Sequence, residues 1–250
     1  METRNETSSA PLTPDTAGSS GQKPERASLF EDYIDILYAP STVFARRAMS
    51  DFGVHLLIIS VVTALLMFAN RGVFAQIFDA QYTAGIPEMM AKNPQLTAEQ
   101  IETGRGIAAT FGAIAAYIAT PILLLIYSLL LWGITRVVGA RLSFKQSALV
   151  TTLAWVPRVL ALVAVAIQVA FMDTSNVTHM GQVAVGPSRF MDIEANRTLY
   201  QLATGFDVFT IWNAVLIGIG VAVIGKVSGA RAAIGAAIIF VLGAGMLLLQ

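Results

Sequence analysis

The 250-residue chain is 55% hydrophobic and only 13% charged, with a mean hydropathy of +0.66, a composition that points to a membrane protein. Its 16 basic and 16 acidic residues cancel, which argues against nucleic-acid binding, since that affinity needs a surplus of Lys and Arg to neutralise phosphates. The absence of cysteine excludes a disulfide framework and a thiolate cluster, and two histidines leave little for a metal site, so no cofactor is expected.

Residues 1–27 are rich in Ser, Thr, Pro, Gly and Glu and carry no apolar periodicity, which predicts a disordered cytoplasmic tail. The first long apolar run starts near residue 52, too far along for a cleaved signal, so the first span is expected to stay in the mature protein. The stretch Phe30, Tyr33, Ile34, Leu37, Tyr38 follows the spacing of one helical face, with Glu31, Asp32 and Asp35 on the other. It predicts a short cytoplasmic helix lying in the interface, ended by Pro40, and offers a surface for docking on the protein itself or on a partner. Arg46 and Arg47 follow where anionic headgroups would favour them.

Apolar runs then occupy residues 52–69, 107–135, 147–172, 208–225 and 232–249. At roughly 18 to 29 residues each they fit the ~17–25 needed to cross a hydrocarbon core, with some tilt for the longer two. Continuous rather than alternating hydrophobicity predicts helices and not a β-barrel. The expected fold is therefore an all-α, polytopic transmembrane helix bundle with five spans, residues 28–250 forming one domain. Two loops, 70–106 and 173–207, separate spans on one side. In the first, Thr97 and Gln100 have the spacing of a capping box, with Leu96 and Ile101 at the staple positions, predicting a helix that runs into the second span. Arg4, Lys23, Arg26, Arg46, Arg47, Arg136, Arg141, Lys145, Lys226 and Arg231 lie on one side of the threading. Arg71, Lys92, Arg105, Arg189 and Arg197 are spread over the two long loops. That asymmetry predicts a cytoplasmic N-terminus and an outer C-terminus. Asn176–Thr178 and Asn196–Thr198 match the glycosylation acceptor pattern on the outer side, a match that means nothing in a bacterial protein.

Arg158 is the one formal charge inside the spans. Eleven residues past Ser147 on an unbroken helix it would sit roughly 16 Å deep, near the midplane. A guanidinium there costs at least ~2.5 kcal/mol on insertion scales, so it should face the bundle or a water-filled cavity. Pro157 removes a backbone donor beside it, freeing a carbonyl for the arginine or a water, and Trp155 offers a cation–π face. Candidate partners on other spans are His55, Tyr117, Tyr127, Asn213 and Asp207. The alternatives are a structural tie between spans and a site for a substrate or lipid headgroup. Asn213 is expected to hydrogen-bond to a neighbouring helix or loop, and Pro121 to kink the second span. Ala214, Gly218 and Ala222 recur every four residues on the fourth span, as do Gly112 with Ala116 and Ala232 with Ala236. Such stripes suit close helix packing or self-association. Phosphate-binding, dinucleotide, zinc-protease and serine-hydrolase motifs are absent, as is any pair of intramembrane acids, so no catalytic residue is assigned.

Several stretches in this order resemble the Yip family of Ypt/Rab-interacting membrane proteins. They are the lead ending in Tyr38, Ala39 and Pro40 with Phe44 after it, and Gly139 to Gln146 entering a span that contains Trp155, Val156 and Pro157. Phe206 to Trp212 continues through Gly218 and Gly220 to a final hairpin. The resemblance covers roughly residues 28–250. It implies five helices, a cytoplasmic N-terminus and kinship with proteins whose eukaryotic members act in vesicle trafficking, membrane shaping and Rab GTPase recruitment. The bacterial members look like plasma-membrane proteins, which makes a bacterial inner membrane the expected location. It supplies no catalytic residues. The function expected first is a non-enzymatic organiser of membranes or partner proteins, in contact with the bilayer and working through the helix at Phe30 to Tyr38. The alternative is a transporter, channel or lipid-moving protein that uses Arg158.

Overall fold

A computed structural model describes residues 28–193 and 195–247; the predicted tail at 1–27 lies outside the described residues. Every regular element among the described residues is helical. Ser28 opens α1 (Leu29–Tyr38) with a capping box to Glu31, its hydroxyl accepting from the Glu31 N–H. Pro40 sits at the first turn of α2 (Pro40–Arg47), where its missing N–H costs nothing. Then come α3 (Gly53–Ala69), α4 (Arg71–Lys92) and the 40-residue α5 (Ala98–Val137). Beyond them lie α6 (Phe144–Ala154), α7 (Val156–Phe171), two 3₁₀ turns at Met180–Gln182 and Pro187–Phe190, α8 (Arg197–Thr204), α9 (Val208–Gly225) and α10 (Gly229–Leu247).

Three stretches are long and apolar enough to cross a membrane, namely Ala98–Val137, Phe144–Phe171 and Val208–Gly225. The pair α3 and α4, bent by 72° at Asn70, is long and apolar enough only when the two helices are taken together, and α10 is a shorter apolar helix. Outward-facing Leu57, Leu65, Phe68, Phe111, Ile118, Leu129, Val215 and Val241 give these helices an apolar surface suited to lipid.

One expectation is corrected and a second refined. The loop at 70–106 is mostly helix: Val73 and Ile77 of α4 are buried against Val165 of α7 and against Val177 and Val183 of the second loop. Gln76 donates its side-chain amide to the carbonyls of Thr174 and Val177, so the two long loops close on each other. The span at 147–172 stands as one apolar stretch, Phe144–Phe171, but its helix is interrupted at Trp155 ahead of Pro157. The Thr97–Gln100 capping box is present and leads straight into α5, which runs unbroken through Pro121.

The expected facing of α1 is also corrected. Phe30 and Tyr38 are 72% and 71% exposed and Ile34 is exposed as well, whereas Asp32 and Ile36 are fully buried and Tyr33 and Leu37 are half-buried. Charge pairing is the reason. Asp32 accepts from Arg46 at 2.7 Å and from Arg47 at 2.6 Å, and Arg46 also reaches Asp35 at 2.6 Å. The two arginines thus face acids of α1 rather than headgroups, and α1 and α2 form a hairpin whose joint is ionic. Tyr33 Oη meets His55 Nδ1 at 3.0 Å, tying the hairpin to α3. Burial, with the Asp32 carboxylate second, pushes the Tyr33 phenol up to about 12. On α2, Val43 and Phe44 are fully buried, and Phe44 lies against Gly220 of α9. A Cβ on Gly220 would fall 2.7 Å from Val150 Cγ1 and 3.0 Å from Phe44 Cζ.

Gly220→Val should therefore lower the thermal midpoint of the detergent-solubilised protein by the equivalent of about 1–3 kcal/mol of overpacking, and Phe44→Ala in the same background should recover part of the loss. Asp32→Ala should lower the thermal midpoint, because it removes the buried carboxylate on which Arg46 and Arg47 of α2 converge. The Tyr38 hydroxyl, then Arg46, hold the Asp35 carboxyl below the usual carboxylate range. Its contribution to docking the hairpin is thus complete above the ordinary carboxylate pKa and is lost only as pH falls through the depressed value. Thermal midpoints of the wild type and of Asp35→Asn, followed as pH falls, check the sign: the gap between them should hold above the ordinary carboxylate pKa and close only at more acid pH.

Candidate functional site

The break at Trp155 shapes the region around Arg158. Ser143 starts α6 with a capping box to Gln146, and every residue from Ser147 to Ala154 is buried. At the break, the N–H groups of Arg158 and Val159 both turn to the Trp155 carbonyl, at 2.9 and 3.3 Å. The Ala154 carbonyl thereby loses its place in the ladder. Asn213 of α9 supplies the replacement, its Nδ2 donating to Ala154 O at 2.6 Å. The carbonyl deprived of an i+4 donor by Pro157 itself is that of Leu153; Ala154 O, which Asn213 satisfies, is freed because the Arg158 N–H shifts to Trp155 O.

Asp207 caps α9. One oxygen accepts from the N–H groups of Phe209 and Thr210 at 2.8 and 2.9 Å, and the other accepts from the Thr210 hydroxyl at 2.5 Å. Between these fixed groups lies Arg158, its guanidinium over the Trp155 ring at 4.8 Å, while Trp155 also packs on Tyr127 at 5.7 Å between centroids. Its Nε is buried and has no hydrogen-bond partner, and Asp207 makes no ion pair with it among the described residues.

Arg158, Thr204, Asp207 and Thr210 line two cavities at once. One, of about 140 Å³, reaches Tyr127, Asn213 and Gly243; the other, of about 320 Å³, extends past Thr63 and Thr120 to Met180 and Val185 in the second loop. The midplane depth of Arg158 relied on an unbroken helix from Ser147. With the break, the arginine sits beside the capped first turn of α9, because both cavities gather it with Asp207 and Thr210. Of the other candidate partners, His55 is engaged by Tyr33 and Tyr117 lines neither cavity. Thr204 and Thr210 were missed; Thr210, three residues past the acidic cap, carried the one signal that could have revealed it. No group of three or more His, Asp or Glu among the described residues is placed to hold a metal ion.

The small residues of α9 serve packing and groove together, Gly218 lining the apolar groove as well as meeting α10. Gly218 packs on α10, where a Cβ would lie 3.5 Å from Ala236 Cβ. Ala214 and Ala222, with Ala233, Ala236 and Ala237 of α10, line an open apolar groove of about 570 Å³ on the outside of the α9–α10 pair. Phe240 and Ala214 belong both to this groove and to the 140 Å³ cavity, so the two are contiguous.

Asn213→Ala should destabilise the protein by about 1–3 kcal/mol, the cost of a bare buried carbonyl, whereas Asn213→Asp loses the donor and adds a buried acid and should cost more. Thermal unfolding of the purified variants reads the order.

Searches among curated proteins and among solved structures return no match to the chain. The family model described as the Yip1 domain matches residues 34–249, from the second half of α1 through α2, the broken helix with Arg158 and the α9–α10 groove. With most of its length matched and with helices fit to cross a bilayer, the chain belongs to the Yip1 domain family of membrane proteins.

Proposed function

We propose that this Yip1-domain protein is a non-enzymatic organiser of membranes or partner proteins, and that it crosses the bilayer five times. In this reading α3, α5, the broken α6–α7 helix, α9 and α10 are the spans, and α4 and the loop at 173–207 form an outer cap. Residues 1–27, which lie outside the described residues, are assigned to the cytoplasmic side, and residues 28–250 to one domain in a bacterial inner membrane. Arg46 and Arg47 at the end of α2, with Arg136, Arg141 and Lys145 around the α5–α6 turn, support the placement of the N-terminus inside.

The observation that carries the organiser reading is the outward stripe on α1. Phe30, Ile34 and Tyr38 stand exposed on a helix whose opposite side is fixed by Asp32, Ile36 and the Tyr33–His55 contact. A rigid helix that presents aromatic and aliphatic side chains from a locked hairpin is suited to holding a partner helix or the membrane surface, since little ordering entropy remains to be lost on contact.

A second reading, lipid or solute movement through the region of Arg158, is favoured by one observation: the guanidinium borders two cavities and its Nε is unsatisfied. An arginine serving as a tie between spans would be expected to be saturated by its neighbours.

Photo-crosslinkers placed at Phe30, Ile34 and Tyr38 of the full chain in intact membranes should capture a defined set of proteins. With the crosslinker moved to neighbouring exposed Leu29, the double Phe30→Ser, Ile34→Ser variant should lose that set while keeping its thermal midpoint; an unchanged set rejects the organiser reading. The chain has no cysteine of its own, so single cysteines report threading cleanly. Cysteines at exposed Met49 and Lys226 should label from the cytoplasmic side and one at exposed Glu99 from the other. Labelling of all three from one side removes the five-span threading.

A further inference from the structure

We propose that the α9–α10 face holds one zwitterionic aminophospholipid, its phosphate on Arg158, its ammonium facing Asp207 and one acyl chain in the adjoining groove. The inference deepens the second reading above by naming the ligand class, and it rests on that reading only for the identity of the site.

Three observations converge on an amphiphile. First, the cavity at Arg158 holds charges of both signs kept apart: the guanidinium has an unsatisfied, buried Nε, and Asp207 is fixed as the cap of α9. A lone anion there would gain from Arg158 but be opposed by Asp207. A phosphate with a tethered ammonium meets both charges. Second, at about 140 Å³ the cavity on the groove side of Arg158 has room for a small charged group. Third, it adjoins the apolar groove, Ala214 and Phe240 serving as the common wall.

Along α9 the two environments follow one another. Asp207, Thr210 and Asn213 line the polar end, and Ile211 to Ala222 line the apolar run. From Ile211 to Ala222 the groove extends ~16 Å at ~1.5 Å per residue, a length suited to an acyl chain. Its floor of Ala and Gly leaves the space open, while Phe206, Ile211, Val215 and Val241 form its rim. A second copy of this chain could fill a groove of small residues, but it would leave the unsatisfied guanidinium at the groove's end without a reason. A phospholipid accounts for both.

The test uses the full-length protein in nanodiscs with phosphatidylethanolamine or phosphatidylglycerol probes carrying a photoreactive acyl chain. Adducts should map to α9 and α10 and favour the ethanolamine probe. Arg158→Gln should cut adducts about tenfold, as expected for loss of a charge-assisted hydrogen bond. Ala237→Trp, at an exposed groove position where no core packing is disturbed, should cut them similarly at an unchanged thermal midpoint. Asp207→Asn keeps a capping oxygen and should abolish the ethanolamine preference. Equal labelling in wild type and both blocking variants, preference for the glycerol probe, or displacement by millimolar inorganic phosphate would each overturn the proposal. So would protein dimers crosslinked through the groove in place of lipid adducts. Lipid exchange between leaflets, measured on the same preparations, separates the two claims: site-specific adducts without exchange reject the lipid-moving function and leave the binding site standing, and exchange without such adducts does the reverse.

Discussion

A peptide carbonyl in a dry helix bundle needs a donor, and the carbonyl of Ala154 is the one that organises this protein. Pro157 cannot extend the ladder, the helix breaks at Trp155, and the next two N–H groups converge on Trp155 O. Asn213 reaches across from α9 to fill the gap. That single amide sets the register between the broken helix and α9, and register decides the rest. It brings the first turn of α9, with Asp207 and Thr210, to the cavities that Arg158 borders. The arginine can then stack on Trp155 without being saturated by a carboxylate.

At the other end of α9 the same logic runs through space rather than hydrogen bonds. Gly220 lets Phe44 and Val150 approach the helix backbone, and Gly225 similarly admits Leu142 and Ala140. The α1–α2 hairpin can therefore be seated by α2, with Val43 and Phe44 as fully buried wedges. Seating α2 draws Arg46 and Arg47 over Asp32, and the buried carboxylate is tolerable only because both arginines reach it. The outward stripe of Phe30, Ile34 and Tyr38 follows from that ion pairing, since the helix cannot turn its apolar side inward without pulling Asp32 away from its partners.

The sequence made the long apolar runs, the lone Arg158, the interrupting Pro157 and the Thr97–Gln100 cap visible, because each depends on residues next to one another in the chain. The features that were not visible join distant residues. Asp32 and Arg47 are fifteen positions apart, and a helical-face reading that sends acids to water has no means of knowing that two arginines wait on the next helix. The α4 helix was hidden because Gly72, Gly85 and Pro87 interrupt its pattern, and its buried pair Val73 and Ile77 has meaning only once Val165, Val177 and Val183 are in place. Small residues at spacing four announced close packing on α9 and did so for Gly218. The same spacing could not reveal that Ala214, Gly218 and Ala222 also line an open groove, because that depends on Ala233, Ala236 and Ala237 of the facing helix being small as well.

The two halves of the candidate site answer opposite physical demands, and their adjacency is the informative part. A guanidinium at a capped helix end needs charge or water, while a groove of alanines and glycines on a lipid-facing surface needs methylene groups to fill it. Water could meet the first demand and bulk lipid the second, but neither would require the two spaces to share a wall at Ala214 and Phe240. A molecule with a charged head and an apolar tail is the one kind of ligand for which that contiguity has a use. The five aligned determinants lie on three elements, with Arg158 on α7, Asp207, Ala214 and Ala222 at or on α9, and Ala237 on α10. Forming the site therefore requires the Asn213 contact that fixes α9 against the broken helix. Binding in that region would stabilise the packing of α7, α9 and α10 by mass action, which couples occupancy of the site to the stability of the core on which the cytoplasmic hairpin is seated.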